Sequence, residues 1–276
     1  MPFIKDLWIA TLTSTRPEAG SESQLVVIMN QNGLDVVHRE LPLGFGPAET
    51  GGGQLYRLDL AEAQVLPESY YMRIGTRGSD AWEPAVIAAW CERFTSGNVV
   101  PLGYDERIET VLSTDRSKGR ISLPLRQIGG GMVRTAISRV MLVTGTGPGA
   151  AATDSPVRVR VKTYEGLVVD HTIPDTPQAD FESSEGNVYF LPVLAPFTRS
   201  QLTDASILLS IEGNDAWLPK VVVMFGLDTA SGQPSAMVPL VHVHPWAPEG
   251  TDPQWLSTDP TEGADFKVLP LAPIDT

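Results

Sequence analysis

The chain has 276 residues, with 33 acidic against 20 basic side chains, and its formal net charge is −13 at pH 7. A charge of this sign repels phosphate backbones, so it argues against a nucleic-acid partner, and against adhesion to anionic lipid unless a divalent cation bridges the two. The single cysteine, Cys91, excludes an internal disulfide framework and is typical of a reducing compartment.

The N-terminal segment predicts a strand rather than a leader. Residues 3–9 show none of the features of a signal peptide, namely a positively charged start, an apolar run and a small-residue cleavage site. The longest apolar stretch, residues 221–227, is far too short to cross a bilayer and predicts a buried strand. We therefore expect a cytoplasmic protein without a transmembrane segment.

Strand patterns continue along the whole chain. Short apolar runs rich in Val, Ile, Leu, Tyr and Thr are separated by glycine and proline at 25–29, 34–37, 55–60, 70–76 and 85–90. Residues 156–162 alternate valine with arginine or lysine, which is typical of an antiparallel strand with one face in water. Helical periodicity is confined to brief stretches near 60–66 and 200–205. The pattern predicts β-sandwich architecture.

A nine-residue pattern, Gly-x-Asp-Ala-Trp-x-Pro-x-Val, occurs twice. It contains Asp80 and Trp82 in the first copy and Asp215 and Trp217 in the second, 135 positions later. Weaker matches continue on both sides, at separations that grow from 133 to 146. Self-similarity of this kind predicts an internal duplication, hence an all-β chain of two tandem antiparallel β-sandwich domains, residues 1–128 and 133–276. Gly129-Gly130-Gly131 is the predicted flexible join.

The predicted strand at residues 25–29 differs in polarity from its counterpart in the second copy. At a separation of 133, Leu25, Val27 and Met29 take the places of three outward basic residues of the second copy. The strand is then apolar on both faces and needs cover. If the sister domain, a second subunit or a partner protein covers this face, the three residues form an interface. If the C-terminal segment of the same copy covers it, they belong to a locally thicker fold.

The order of elements in each copy resembles the PLAT/LH2 family. The resemblance rests on a strand at 55–60, a strand ending at 74–78, the polar turn with Asp80 or Asp215, the tryptophan and the following strand. It covers about the first hundred residues of each copy. The resemblance implies a β-sandwich recruitment module that binds membrane lipid or a protein partner, sometimes with calcium held by loop carboxylates.

This resemblance makes Asp80 and Asp215 the candidate calcium ligands, and calcium the candidate cofactor. Calcium requires several oxygen ligands from neighbouring loops, so one carboxylate is not enough. An aspartate in such a turn can also hydrogen-bond the backbone and hold the next strand in place. Both interpretations stay open, while Trp82 and Trp217 are predicted to be core anchors because apolar strand residues follow them.

Two histidines offer a separate metal hypothesis. His242 and His244 alternate with valine and would share one face of a strand, a geometry that suits a transition metal once a further ligand is added.

Three functions follow from these observations. The preferred one is a non-catalytic binding or recruitment protein that docks to a protein or lipid surface through the sandwich loops. The second is a structural subunit of a homo-oligomer or larger assembly that uses the apolar face of Leu25, Val27 and Met29. The third is a metal-dependent enzyme that uses His242 and His244.

Overall fold

The computed structural model describes residues 3–41, 50–68, 70–106, 108, 110–130, 133–173, 181–229, 234–247 and 250–274. The chain divides after Gly129 into two units, with Gly130–Ala272 forming the second. This division lies in the predicted glycine join, of which Gly131 is outside the described residues. Pro273 groups with the first unit, and its carbonyl accepts a hydrogen bond of 2.9 Å from the Val99 N–H. The predicted second domain, in contrast, ran to residue 276.

Unit 1 consists of two antiparallel sheets. Its strands are β1 (Ile4–Thr13), β2 (Leu25–Gln31), β3 (Leu34–Glu40), β4 (Gly53–Asp59), β5 (Tyr71–Thr76), β6 (Pro84–Arg93), β7 (Val99–Glu106) and β8 (Ser122–Pro124). One sheet has the order β4-β1-β6-β7 and the other β3-β2-β5-β8. Side chains from both sheets share one buried cluster, which makes the unit a β-sandwich.

Unit 2 repeats this arrangement. The two-residue β9 (Gly129–Gly130) at the join is followed by β10 (Ile137–Thr146), β11 (Val157–Thr163), β12 (Gly166–Ile173), β13 (Gly186–Phe197), a 3-10 turn (Arg199–Gln201), β14 (Ile207–Ile211), β15 (Pro219–Asp228), β16 (Ala236–Val243), β17 (Trp255–Leu256), β18 (Gly263–Ala264) and β19 (Phe266–Leu269). Its sheets have the orders β13-β10-β15-β16, with β9 at the edge, and β12-β11-β14-β19. The short β17 and β18 pair in parallel.

The strand orders of the two units correspond element by element. In each unit the first strand lies second in its sheet, between the fourth and sixth strands of that unit. The all-β fold is as predicted, and the shared topology supports the predicted internal duplication. The 3-10 turn is the longest helical element among the described residues, and none of them forms a helix that could cross a bilayer.

The sheet that contains β1 and β6 is buried on both faces. Leu7 and Ile87 point into the core cluster of unit 1, while Trp8 and Trp90, on the opposite face, are at most 1 % exposed. The corresponding sheet of unit 2 shows the same pattern. There Val222 points into the core and Phe225 on the other face is also fully buried. Near-continuous apolar sequence in these strands is what burial on both faces requires.

Candidate functional site

Trp82 and Trp217 are anchored identically in the two cores. Both side chains are fully buried. The indole Nε1–H of Trp82 donates to Thr13 Oγ1 at 3.1 Å, and that of Trp217 donates to Thr146 Oγ1 at 3.0 Å. Because a buried indole N–H needs an acceptor, the threonine at the end of the first strand of each unit completes the site. The prediction that both tryptophans are core anchors is confirmed.

Asp80 ties its own turn to a distant loop. Its Oδ2 accepts the Glu22 N–H at 3.0 Å, and its Oδ1 accepts the Ala81 N–H at 3.0 Å. The Glu22 backbone hydrogen bond is the main reason why the pKa of the Asp80 carboxyl lies below its ordinary value. The carboxylate thus joins a loop 58 residues away to the turn that precedes β6.

Asp215 does the same in unit 2. Its Oδ2 accepts the Asp154 N–H at 3.1 Å, and its Oδ1 accepts the Ala216 N–H at 2.9 Å. Among the described residues, no group of three or more His, Cys, Asp or Glu side chains is placed to hold a metal ion. The geometry supports the backbone-holding interpretation of both aspartates, and calcium binding stays a prediction.

The glycine of the repeated motif is needed for a close approach. A Cβ added at Gly78 would lie 1.8 Å from Ser23 Oγ, and one added at Gly213 would lie 2.2 Å from Ser155 Oγ. These distances are far below van der Waals contact, so any side chain here would displace the serine that packs on the turn. The repeated glycine, aspartate and tryptophan therefore all have a structural role in both copies.

The three residues predicted to form an outer apolar face lie inside unit 1. Leu25, Val27 and Met29 belong to the core cluster, and their side chains are at most 4 % exposed. The predicted outward orientation is therefore wrong. The other face of β2 carries Val26, which is buried, and Ile28, which is half-buried.

A one-residue shift in the alignment explains this difference. Val27 pairs with Ile74, and Val159 pairs with Leu209. Ile74 and Leu209 are 135 positions apart, as the motif requires, so Val27 corresponds to Val159 at 132 and not to Arg160 at 133. Because side chains alternate along a strand, a shift of one residue exchanges the two faces.

His242 and His244 lie at the end of β16. His242 pairs with Val223, and Tyr104 occupies the equivalent position in unit 1. His244 follows the strand and begins the cis peptide bond to Pro245. Both histidines are half-buried, and the described residues place no third metal-ligating side chain with them. The transition-metal hypothesis stays a prediction.

A pocket in unit 2, which the sequence did not predict, follows these histidines. Tyr104 and His242 are 138 positions apart, whereas Leu112 and Leu256 are 144 apart, so unit 2 has six additional residues between β16 and β17. The longer loop contains Trp246, which is 3 % exposed and belongs to the core cluster. Its indole Nε1–H donates to the Gln254 carbonyl at 2.6 Å, which fixes the ring against the loop.

The cavity has a volume of about 320 Å³. Its walls are mostly apolar and come from the loop, β17, β18 and β19: Trp246, Pro253, Gln254, Trp255, Leu256, Gly263, Ala264, Phe266 and Lys267. Gly263 is required here because a Cβ at this position would lie 2.3 Å from the Trp255 carbonyl oxygen. We call this cavity the aromatic pocket.

Lys267 occupies an inner-face position in the aromatic pocket. Lys267 pairs with Leu209, just as Leu123 of unit 1 pairs with Ile74. Leu123 is part of the core of unit 1, so unit 2 carries an ammonium group where unit 1 carries a buried leucine. The pairing also corrects the alignment at the C-terminal end of each copy, where the separation is 144 and not the predicted 146.

The Lys267 ammonium is held by three contacts. Its Nζ lies 3.9 Å from the centre of the Trp246 ring, and donates to the Trp246 carbonyl at 3.2 Å and to Gln254 Oε1 at 2.8 Å. Partial burial lowers the pKa of this side chain, because desolvation disfavours the charged form. The cation–π contact and the two hydrogen bonds act in the opposite sense and keep the cation in place.

Three differences between the two halves of the sequence are a signal for this pocket. Trp255, Phe266 and Lys267 replace Val111, Ser122 and Leu123 of the first copy, and all three replacements accompany the six-residue insertion. The repeated residues belong to the scaffold, whereas the aromatic pocket lies where the two units differ. Compared with protein-family models and with curated proteins, the chain matches none of them.

Proposed function

We propose that this chain is a non-catalytic binding protein in which two PLAT-like sandwiches form the scaffold and the loops at one end of unit 2 receive the bound group. The aromatic pocket is the observation that supports this proposal. Three aromatic residues and one lysine line a cavity at the lower end of the size range of small-molecule sites. Recruitment through sandwich loops is also what the PLAT/LH2 resemblance implies.

The repeated residues favour the same function indirectly. The carboxylates of Asp80 and Asp215 hold loops, and Trp82 and Trp217 hold the cores, so the duplicated motif supplies rigidity. A binding site on a rigid scaffold loses less conformational entropy when it is occupied. Both units therefore contain the rigid framework, and unit 2 also contains the pocket.

A neutral ring compound tests this proposal. We expect indole-3-ethanol to bind the ¹⁵N-labelled full chain and to shift the indole N–H signals of Trp246 and Trp255, which are assigned by single substitutions. Trp255→Val installs the residue that unit 1 has at this position, so the fold should tolerate it, and we expect it to weaken binding at least fivefold through loss of ring contact.

Phe94→Val is the matched control, since Phe94 is an exposed aromatic side chain of unit 1 that does not line the pocket. We expect it to leave the affinity unchanged. Equal affinity of the Trp255→Val chain and the native chain for indole-3-ethanol would contradict the proposal. So would the absence of binding at concentrations up to about 10 mM, which is roughly the weakest affinity that such a titration measures.

A further inference from the structure

We propose that the aromatic pocket binds a planar aromatic ring that carries a single carboxylate. This inference rests on the proposed function and specifies the ligand class for the same pocket. Its basis is the pairing of an apolar, ring-lined cavity with the Lys267 ammonium, which sits at a position where unit 1 has leucine.

The walls of the pocket select the ring. Trp255 and Phe266 line the cavity, and because Trp255 is half-buried and Phe266 is 49 % exposed, neither ring is locked in the core. Pro253 and Leu256 complete an apolar lining. Aromatic side chains favour offset-stacked or edge-to-face contacts with another ring, which a flat ligand can make and an aliphatic chain cannot.

The Lys267 ammonium selects the carboxylate. An ammonium has three N–H donors, and the Trp246 carbonyl and Gln254 Oε1 accept two of them. The remaining contact of the ammonium is with the face of the Trp246 ring. A carboxylate that approaches Nζ from the cavity would accept a charge-assisted hydrogen bond in partly desolvated surroundings, where such bonds are strong.

The number of charges limits the ligand to a monoanion. Among the described residues that line the pocket, Lys267 is the one that carries a positive charge. Phosphate groups are usually bound by several donors or by a forked guanidinium, which these lining residues do not supply. The second copy is also strongly acidic, with 17 acidic against 8 basic residues after Val133. Its long-range field opposes a dianion more than a monoanion.

The cavity volume suits a small ligand. About 320 Å³ accommodates a one- or two-ring compound with a short side chain. The ligand class is therefore a small aromatic acid.

Three indole compounds of similar size and different charge test the inference: indole-3-acetate, indole-3-ethanol and tryptamine. Affinity for the full chain is measured by the same indole N–H titration at pH 7. We expect indole-3-acetate to bind roughly tenfold tighter than indole-3-ethanol, as one charge-assisted hydrogen bond implies, and tryptamine to bind most weakly.

Lys267→Leu should bind indole-3-acetate and indole-3-ethanol equally, because it removes the ammonium and keeps the apolar walls. Lys162→Leu, the same substitution at an exposed position of β11, is the control and should retain the tenfold preference. Retained binding of indole-3-ethanol by the Lys267→Leu chain shows that the pocket is still formed.

The outcomes separate the two proposals. Equal affinity of the native chain for the acid and the alcohol, or a preference that survives Lys267→Leu, overturns the carboxylate inference and leaves the binding function standing. A native chain that binds none of the three compounds overturns both. Tighter binding of tryptamine than of indole-3-acetate overturns the inference in favour of a cationic ligand.

Discussion

Position 267 in unit 2 and position 123 in unit 1 face the same way in equivalent strands, yet one is lysine and the other is leucine. Leu123 is 6 % exposed and packs in the core, whereas the Lys267 ammonium caps the Trp246 ring beside an open cavity. The tryptophan that contacts the ammonium belongs to the loop before β17, which is six residues longer in unit 2.

In a chain with two similar units, functional residues are expected where the units differ. Residues kept in both copies hold turns and cores together, as the hydrogen bonds of Asp80, Asp215, Trp82 and Trp217 show. The copy that diverges, by a loop and three nearby substitutions, acquires the pocket.

The largest effect is expected from the residues that the units share. Trp82→Ala and Trp217→Ala should each lower the free energy of unfolding of their own unit by about 3–5 kcal/mol, because each removes a fully buried indole and leaves a cavity. Urea unfolding monitored by circular dichroism measures this loss. A loss below about 1 kcal/mol in either unit would show that its tryptophan is not a core anchor.

Exchanging the residues at positions 123 and 267 should have unequal effects. Leu123→Lys should lower the free energy of unfolding by about 3 kcal/mol, because it places a charge in the core of unit 1 without the tryptophan that receives Lys267. Lys267→Leu should change it by less than about 1 kcal/mol, since leucine suits the equivalent position. Differential scanning calorimetry of the two variants compares them. Equal destabilisation would mean that the two environments do not differ as described.

The smallest effect is expected from the turn aspartates. Asp80→Ala and Asp215→Ala should each reduce the free energy of unfolding by about 1 kcal/mol, because each releases a backbone N–H of a distant loop into partly exposed surroundings. The two losses should be similar, since the turns are alike. Thermal unfolding with and without calcium measures both the loss and any cation binding. A calcium-dependent rise in the Tm of the native chain that either substitution abolishes would support the calcium prediction instead.

The pH dependence of the Asp80 contribution has a definite sign. The folded-state pKa of Asp80 is lowered, chiefly by the Glu22 N–H, so the native state favours the charged carboxylate. Its stabilisation is present above the ordinary aspartate pKa and is lost as the pH falls through the lowered value. The native chain and the Asp80→Ala chain should therefore converge in stability under acid conditions.

Much of this fold could be predicted from the sequence. The period-two alternation of residues 156–162 identified β11, and the repeated motif indicated two similar units, because both signals are local and depend on side-chain patterns. The sequence also determined that Trp82 and Trp217 are buried. Strand alternation alone cannot give the register when the connecting loops differ in length by one residue, and for that reason Leu25, Val27 and Met29 were assigned to the wrong face.

The aromatic pocket was decided by tertiary structure. Trp246, Trp255 and Lys267 are separated in sequence and become neighbours only through the fold, in which Trp246 lies against the Lys267 ammonium of β19. The sequence alone does not show that these residues are neighbours, because the position of Lys267 depends on the register between β14 and β19. The sequence pattern thus predicted two β-sandwiches with Trp82 and Trp217 in their cores. The pairing of strands that are distant in sequence decided which side chains line the aromatic pocket.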